Sequence, residues 1–266
     1  MLAAALLAGC DPGGGAPSGR VAEVEADPNG TNGANIASLT DVIQRNPNDA
    51  VAYNTRGVVY AKTGHYSQAI EDFSKAIQID PNLSGAYTNR ALAYRQSNRD
   101  GSALADFNAA IVANPKDAAA YLGRGNLLRA QSHFPEALAD LNQAIALNPE
   151  GAQAYHARGL IYQRQGSHPQ AITDFNNAID RDPFAGAPYQ ARGQSLVATG
   201  KYDAAIEDFN AALNVDANNA DAWAGLGLAY ERVNNRTKAV ESYQRALVVN
   251  PNNPAAREGL ARLRAA

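Results

Sequence analysis

From residue 50 onward, apolar and polar positions alternate with a fixed rhythm. The stretch AYNTRGVVYAKTGHYSQAIEDFSKAIQIDPN holds two runs in which apolar side chains return every third or fourth residue, broken at Gly64 and closed by Pro81. Runs of about 14 residues with that period predict amphipathic helices. Helices this short are marginal alone in water and must pack on neighbours. The same text returns as AYTNRALAYRQSNRDGSALADFNAAIVANPK and AYLGRGNLLRAQSHFPEALADLNQAIALNPE, and further copies begin at Ala152, Gly186 and Ala220. Prolines 47, 81, 115, 149, 183 and 251, with Ala217 filling the gap, mark a step of 34 residues with no insertion.

The first copy shows how the pair closes. Small residues Gly57, Ala69 and Ala76 let the first helix (A) approach the second (B), while Tyr53, Tyr60, Tyr66 and Phe73 fill the space between them. Pro81 ends helix B, because it lacks an N–H and disfavours helix at the residue before it. Asp49, Ser84, Asp117 and Asn219 are expected N-caps of the A helices. Pro135 and Pro169 fall in the first turn of a B helix, where a missing N–H costs little.

A 34-residue unit with Trp or Tyr, Gly, Tyr, Ala, Phe, Ala and Pro at these offsets resembles the tetratricopeptide repeat (TPR) over residues 50–253. The resemblance implies an all-α fold, a right-handed α-solenoid of six helix pairs at 50–83, 84–117, 118–151, 152–185, 186–219 and 220–253. Before it, ANIASLTDVIQRNP reads as a lone B-type helix at 35–48. After it, 254–266 reads as an amphipathic capping helix, with Asn253 as N-cap, Leu260 and Leu263 inward, and Arg257, Arg262 and Arg264 in solvent.

An arginine recurs in helix A at Arg56, Arg90, Arg124, Arg158 and Arg192, and sixteen residues later an aspartate at Asp72, Asp106, Asp140, Asp174 and Asp208. In the sixth copy both vanish together, replaced by Leu226 and Ser242. Pairing of helix A with helix B inside each repeat accounts for that joint loss, since either partner left half-buried alone is costly. These five pairs are read as structural rather than as a ligand track.

The TPR resemblance also implies that the A helices line a concave, peptide-binding side. Its inner positions fall on Asn54, Val58 and Lys62; Thr88, Leu92 and Arg95; Leu122, Asn126 and Arg129; His156, Leu160 and Arg164; Gln190, Gln194 and Val197; and Leu228, Glu231 and Arg232. That groove is mildly basic and rich in amides, which suits an extended peptide with some acidic or carboxylate character.

Composition narrows the function further. A net charge of -3 argues against nucleic acid as partner. The single cysteine excludes an intramolecular disulfide and a thiolate metal cluster. His65, His133, His156 and His168 stand in no metal-ligand spacing, and no nucleophile or phosphate-loop motif occurs, so no enzyme, metal or cofactor is expected. Carboxylates in helix B recur with the repeat, and repetition marks scaffold, because a catalytic pair is needed once.

The segment LLAGCDPGGG stands apart from the repeats. Residues 1–9 are apolar and small, and LAGC resembles the lipobox of bacterial lipoproteins, which implies cleavage before Cys10 and lipidation of that residue. More than one acyl chain makes such an anchor stable. Residues 10–34, rich in Gly, Pro, Asn and Asp, read as a flexible tether with a reach of about 25–30 Å. Asp11 resembles an inner-membrane retention signal of enteric lipoproteins, which leaves the choice of membrane open. The expectation is a non-catalytic scaffold on the periplasmic side of a bacterial membrane, similar to TPR lipoproteins that gather cell-wall hydrolases and proteases. A lipidated assembly factor for a secretin or pilus and an unanchored cytoplasmic adaptor stand as alternatives.

Overall fold

A computed structural model describes residues 31–265. Cys10, the segment 1–9 and most of the tether lie outside the described residues. Fourteen helices and no strand occur among those that are described. Helix α1 spans Thr31–Arg45, and six A/B pairs follow: α2 (Ala50–Lys62) with α3 (Tyr66–Ile79), α4 (Ser84–Gln96) with α5 (Asp100–Ala113), α6 (Ala118–Ala130) with α7 (Phe134–Leu147), α8 (Ala152–Arg164) with α9 (His168–Arg181), α10 (Gly186–Ala198) with α11 (Tyr202–Val215), and α12 (Ala220–Arg232) with α13 (Arg236–Val249). Helix α14 (Pro254–Ala265) closes the array. The result is an α-solenoid. Successive A helices touch one another while successive B helices do not, so the A helices form the shorter, concave side.

Two boundaries differ from the sequence expectation. Helix α1 takes in residues 31–34, assigned above to the tether, and ends at Arg45 rather than at 48. Its Ile43 is buried against the array, and such packing overrides the weak helix propensity of Asn and Gly. Ser84 is no N-cap: it is the first helical residue of α4, and Leu83 precedes it with no side-chain cap. Asp49, Asp117, Asn219 and Asn253 do cap, accepting from the backbone N–H of Ala52, Ala120, Ala222 and Ala256 at 2.9–3.2 Å.

Each A helix ends in the same way. The His65 N–H donates to the Tyr60 carbonyl and Gly64 N–H to the Ala61 carbonyl, the paired bonds of a Schellman cap. Gly64 takes φ +79°, and every 34th residue after it repeats the positive φ: Asn98, Ser132, Gly166, Gly200 and Asn234. Ser132, at φ 64°, bears the steric cost that the glycines avoid.

The core is a file of wedges. Phe73, Phe107, Leu141, Phe175, Phe209 and Tyr243, one per repeat, are almost wholly buried. Each is set between A helices whose glycines leave room for it. A Cβ on Gly225 would stand 2.5 Å from the Phe209 ring, and one on Gly193 3.1 Å from it. Tyr243 is gripped likewise between Gly227 and Gly259, so α14 takes the place of a seventh A helix. Real Cβ atoms essentially never come as close as the one at Gly225 would, whereas the contact at Gly193 is tight but within reach of a small shift of the Phe209 ring.

Candidate functional site

The ladder arginines are built from the same periodicity as the core. In all five repeats Nε and Nη2 donate to the two oxygens of the aspartate sixteen residues on, at 2.6–2.8 Å. These are bidentate, charge-assisted bonds, the strongest class available to a guanidinium. The third donor, Nη1, reaches back sixteen residues to the preceding B-type helix, to Thr40, Ser74, Asn108, Asn142 and Asn176, at 2.6–3.0 Å. The tyrosine three residues earlier in each of the five A helices, from Tyr53 to Tyr189, places its ring under the guanidinium at 5.7–5.9 Å. Each arginine thus ties three helices, two repeats, into one joint. The hydrogen bond to its aspartate raises the pKa of every one of them, against the opposing effect of burial. In the sixth repeat Leu226 and Ser242 are both buried, and the Ser242 hydroxyl turns to the Lys238 carbonyl at 2.8 Å.

Positions 40, 74, 108, 142 and 176 share the 34-residue step, but Thr40 and Ser74 stand where the later copies have Asn, so residue identity hides what the spacing shows.

On the concave side the predicted groove residues divide. A cleft of about 740 Å³ opens across the middle of the array, lined by Leu92 and Arg95 of α4, Leu122 and Asn126 of α6, and residues around Glu150–Gln153 and Arg181–Asp182. A second hollow of about 500 Å³ takes in Gln194, Leu228 and Arg232 beside α14. Thr88 belongs to neither. It is 1% exposed and its hydroxyl donates to the Asp117 Oδ2 at 3.1 Å, so the N-cap of the next A helix covers it. Counting offsets put Thr88 on the inner face; the next turn lies on top of that position. Gln190 stays half-buried, and its side-chain oxygen accepts from Asn219 Nδ2 at 2.6 Å. Asn54 accepts from Asn89 Nδ2 at 3.0 Å, and Arg164 lies over the Phe134 ring at 5.7 Å. Lys62 is exposed overall, and partial desolvation of its ammonium lowers its pKa.

The centre of the groove is electrostatically unbalanced. Arg129 lies one turn beyond Asn126 on α6, half-buried, with its Nε buried and without a hydrogen-bond partner. Burial, with the charge of Arg95 beside it, pushes its guanidinium below the usual value. His156 packs tilted against Phe175 at 5.9 Å between ring centres, and burial, aided by Arg129, lowers its pKa to about 4. The imidazole is therefore neutral at neutral pH and adds no third charge.

At the C-terminal end Arg262 departs from expectation. It forms a fork to Glu231 at 3.1 Å in both arms while remaining half exposed, and Tyr243 Oη donates to the same carboxylate at 2.7 Å. Glu231 is thereby occupied by the capping helix rather than open to the groove. The bond to Arg262 holds its carboxyl below the usual range. Among the described residues no cluster of His, Cys, Asp and Glu could hold a metal ion, and no helix is long and apolar enough to cross a membrane.

Comparison with known proteins agrees with the architecture. Protein-family models described as TPR repeat match residues 125–166 and 193–234, and models described as tetratricopeptide repeat match 50–83, 88–132, 152–184 and 220–253. A search of curated proteins finds no match in sequence. Among solved structures, a chain of the APC/C hetero-tetramer Cut9–Hcn1 superposes with a TM-score of 0.76 at 22% identity, over 87% of this chain and 46% of that one. The chain thus spans less than half the length of that relative. PilW, described as a widely conserved type IV pilus biogenesis factor, matches at 0.70 and 19% identity, over 79% of this chain and 98% of its own. YrrB, described as a TPR protein with an unusual peptide-binding site, matches at 0.61 and 24%, over 72% and 99%. At such identities the likeness is one of fold. With the matched segments together spanning most of residues 50–253, the chain belongs to the tetratricopeptide repeat family.

Proposed function

We propose that this protein is a non-catalytic interaction scaffold that holds extended peptide segments of other proteins in its concave groove, tethered by lipid on Cys10 to the periplasmic side of a bacterial membrane. The observation that carries the binding half is the open cleft of about 740 Å³ across α4 to α9, with Arg95 and Asn126 presented from neighbouring A helices. Its walls mix leucine side chains with a few polar groups, the composition of a peptide-recognition surface. The tethering half is supported by the lipobox-like LAGC and by the single cysteine, which no helix of the array uses. The five helix-B aspartates that recur with the repeat are each held in an ion pair, which favours a scaffold role for them over a catalytic one.

Palmitate labelling of the wild type against Cys10→Ser tests the anchor. Label on the wild type alone supports it, and no label on the wild type returns the protein to the cytoplasmic-adaptor reading. A second reading, a pilus or secretin assembly factor, is favoured by the superposition on PilW over 98% of that chain. Capture from a membrane fraction decides between them: cell-wall hydrolases or proteases support the first, and secretin or pilus components the second.

A further inference from the structure

The two end helices are complementary halves of a repeat. Helix α1 occupies the place of a B helix: its Thr40 accepts from Arg56 Nη1, as Ser74 in α3 accepts from Arg90. Helix α14 occupies the place of an A helix: Asn253 caps it, and its Gly259 closes on Tyr243 as Gly225 closes on Phe209. Among the described residues α1 has no A helix of its own and α14 no B helix. The faces that a completed pair buries are open on both. Leu39, thirty-four residues before the buried Phe73, is only half-buried, and Val42, in the place of the buried Ala76, is 41% exposed. On α14, Ala261 is exposed where its counterpart Gly227 lies buried against Tyr243, and Leu260 is half-buried where Leu226 is buried.

We propose that the two halves complete each other between copies: α14 of one copy packs as helix A on α1 of the next as helix B, and the array continues head to tail. The register strands no charge. Leu260 falls at the ladder position of helix A and Ser38 at that of helix B, the same uncharged pair that the sixth repeat holds in Leu226 and Ser242. An arginine or an aspartate at either position would be buried there without its partner. The charges of the ends favour the same order. Residues 220–266 carry seven basic and four acidic side chains, and residues 1–49 two basic and six acidic. Opposite ends of two copies therefore attract, while like ends repel. Inside a repeat helix B begins four residues after helix A ends, so an incoming Thr31 starts close to Ala265 of α14. Glu23, Glu25 and Asp27, which precede Thr31 in the sequence, are carried in toward Arg264.

This joint is weaker than one inside a repeat. Arg257 and Arg264 stand where the sixth repeat has Trp223 and Tyr230, and Asn35 and Val42 stand where every repeat has alanine. Without aromatic filling the contact depends on charge, which makes it reversible and sensitive to salt. Because it joins two different surfaces, it propagates instead of closing on a two-fold axis, and the concave face of one copy runs on into the next.

Sedimentation velocity on the full-length chain tests the joint. The wild type is expected to pass from monomer to dimer and larger species as its concentration rises about a hundredfold. That association should weaken at least tenfold between about 0.1 M and about 1 M salt, where charges are screened beyond about 3 Å. Ser38→Arg and Ala261→Arg alter exposed positions, so both should melt with the wild type, and each alone should stay monomeric. Mixed in equal amounts, the two should pair and stop at the dimer, because one intact α14 meets one intact α1 and the remaining ends are both blocked. A wild type that stays monomeric at every concentration overturns the proposal. Association that only one of the substitutions removes also overturns it, since that marks a contact between like ends. Association that survives both places the contact on another surface, and a mixture that stays monomeric denies the pairing of opposite ends; either result overturns it too.

Discussion

Arg124 and Arg129 stand five residues apart on one helix and have opposite fates. Arg124 donates twice to Asp140 and once to Asn108, and its charge is fully answered by the fold. Arg129 has a buried Nε with no partner and Arg95 for a neighbour. A buried donor left empty costs about 1–3 kcal/mol, more when charged. The molecule thus keeps one cationic stripe answered by its own carboxylates and, a turn and a half away, one that is not. The first is architecture.

Breaking the answered stripe should have the largest effect. Arg158→Asp places a second carboxylate against Asp174, and unfolding by denaturant should show a loss of about 3–5 kcal/mol. Adding Asp174→Arg should recover part of it, and a double variant no better than the single would show that the pair is incidental. Next comes His156. Its folded pKa of about 4 lies below the 6.5 of the unfolded chain, so the unfolded state binds the proton first as the pH falls. Stability should drop between pH 6.5 and pH 4, by up to about 3 kcal/mol at 1.36 kcal/mol per unit. In His156→Gln that share of the slope should be gone.

The sign of the third prediction is the sharpest point of the comparison. Arg129→Met, which removes an unanswered charge and keeps the stem volume, should raise the stability of the unliganded protein by about 1–2 kcal/mol. Arg124→Met should lower it, because Asp140 is then orphaned. If both substitutions destabilise alike, the two stripes are not different in kind. The smallest effect belongs to the exposed fork at the array's end. Glu231→Gln should cost under about 1 kcal/mol, as exposed ion pairs do. With its folded pKa depressed, Glu231 contributes at neutral pH, and that contribution fades as acid protonates it.

How much of this the sequence disclosed depends on whether a signal repeats. Helix pairs, breaks and the Arg–Asp register recur every 34 residues, so they are read from spacing alone. Asn98, Ser132 and Asn234 carry the same positive φ as Gly64 but were invisible, since only glycine advertises it. The groove was less legible, because access depends on what lies over a position rather than on its offset. Thr88 and Gln190 have the right phase and are spanned by Asp117 and Asn219 from the next turn. Arg95 and Arg129 were named among the groove residues, but their difference from Arg90 and Arg124 lies in absent partners, which no single residue spells out.

The three-way joint of each arginine has a consequence for how such an array can change in number. Each of the first five units of 34 residues carries an arginine and the aspartate that answers it, and each of the first four carries an acceptor for the arginine of the unit that follows. Deleting residues 118–151 would bring Arg158 opposite Asn108 in place of Asn142, the same chemistry in the same register. Duplicating that unit would likewise strand no charge. Genes that gain or lose one whole repeat by unequal crossing-over therefore yield a protein whose ladder is already complete, and length can drift while the joints stay matched.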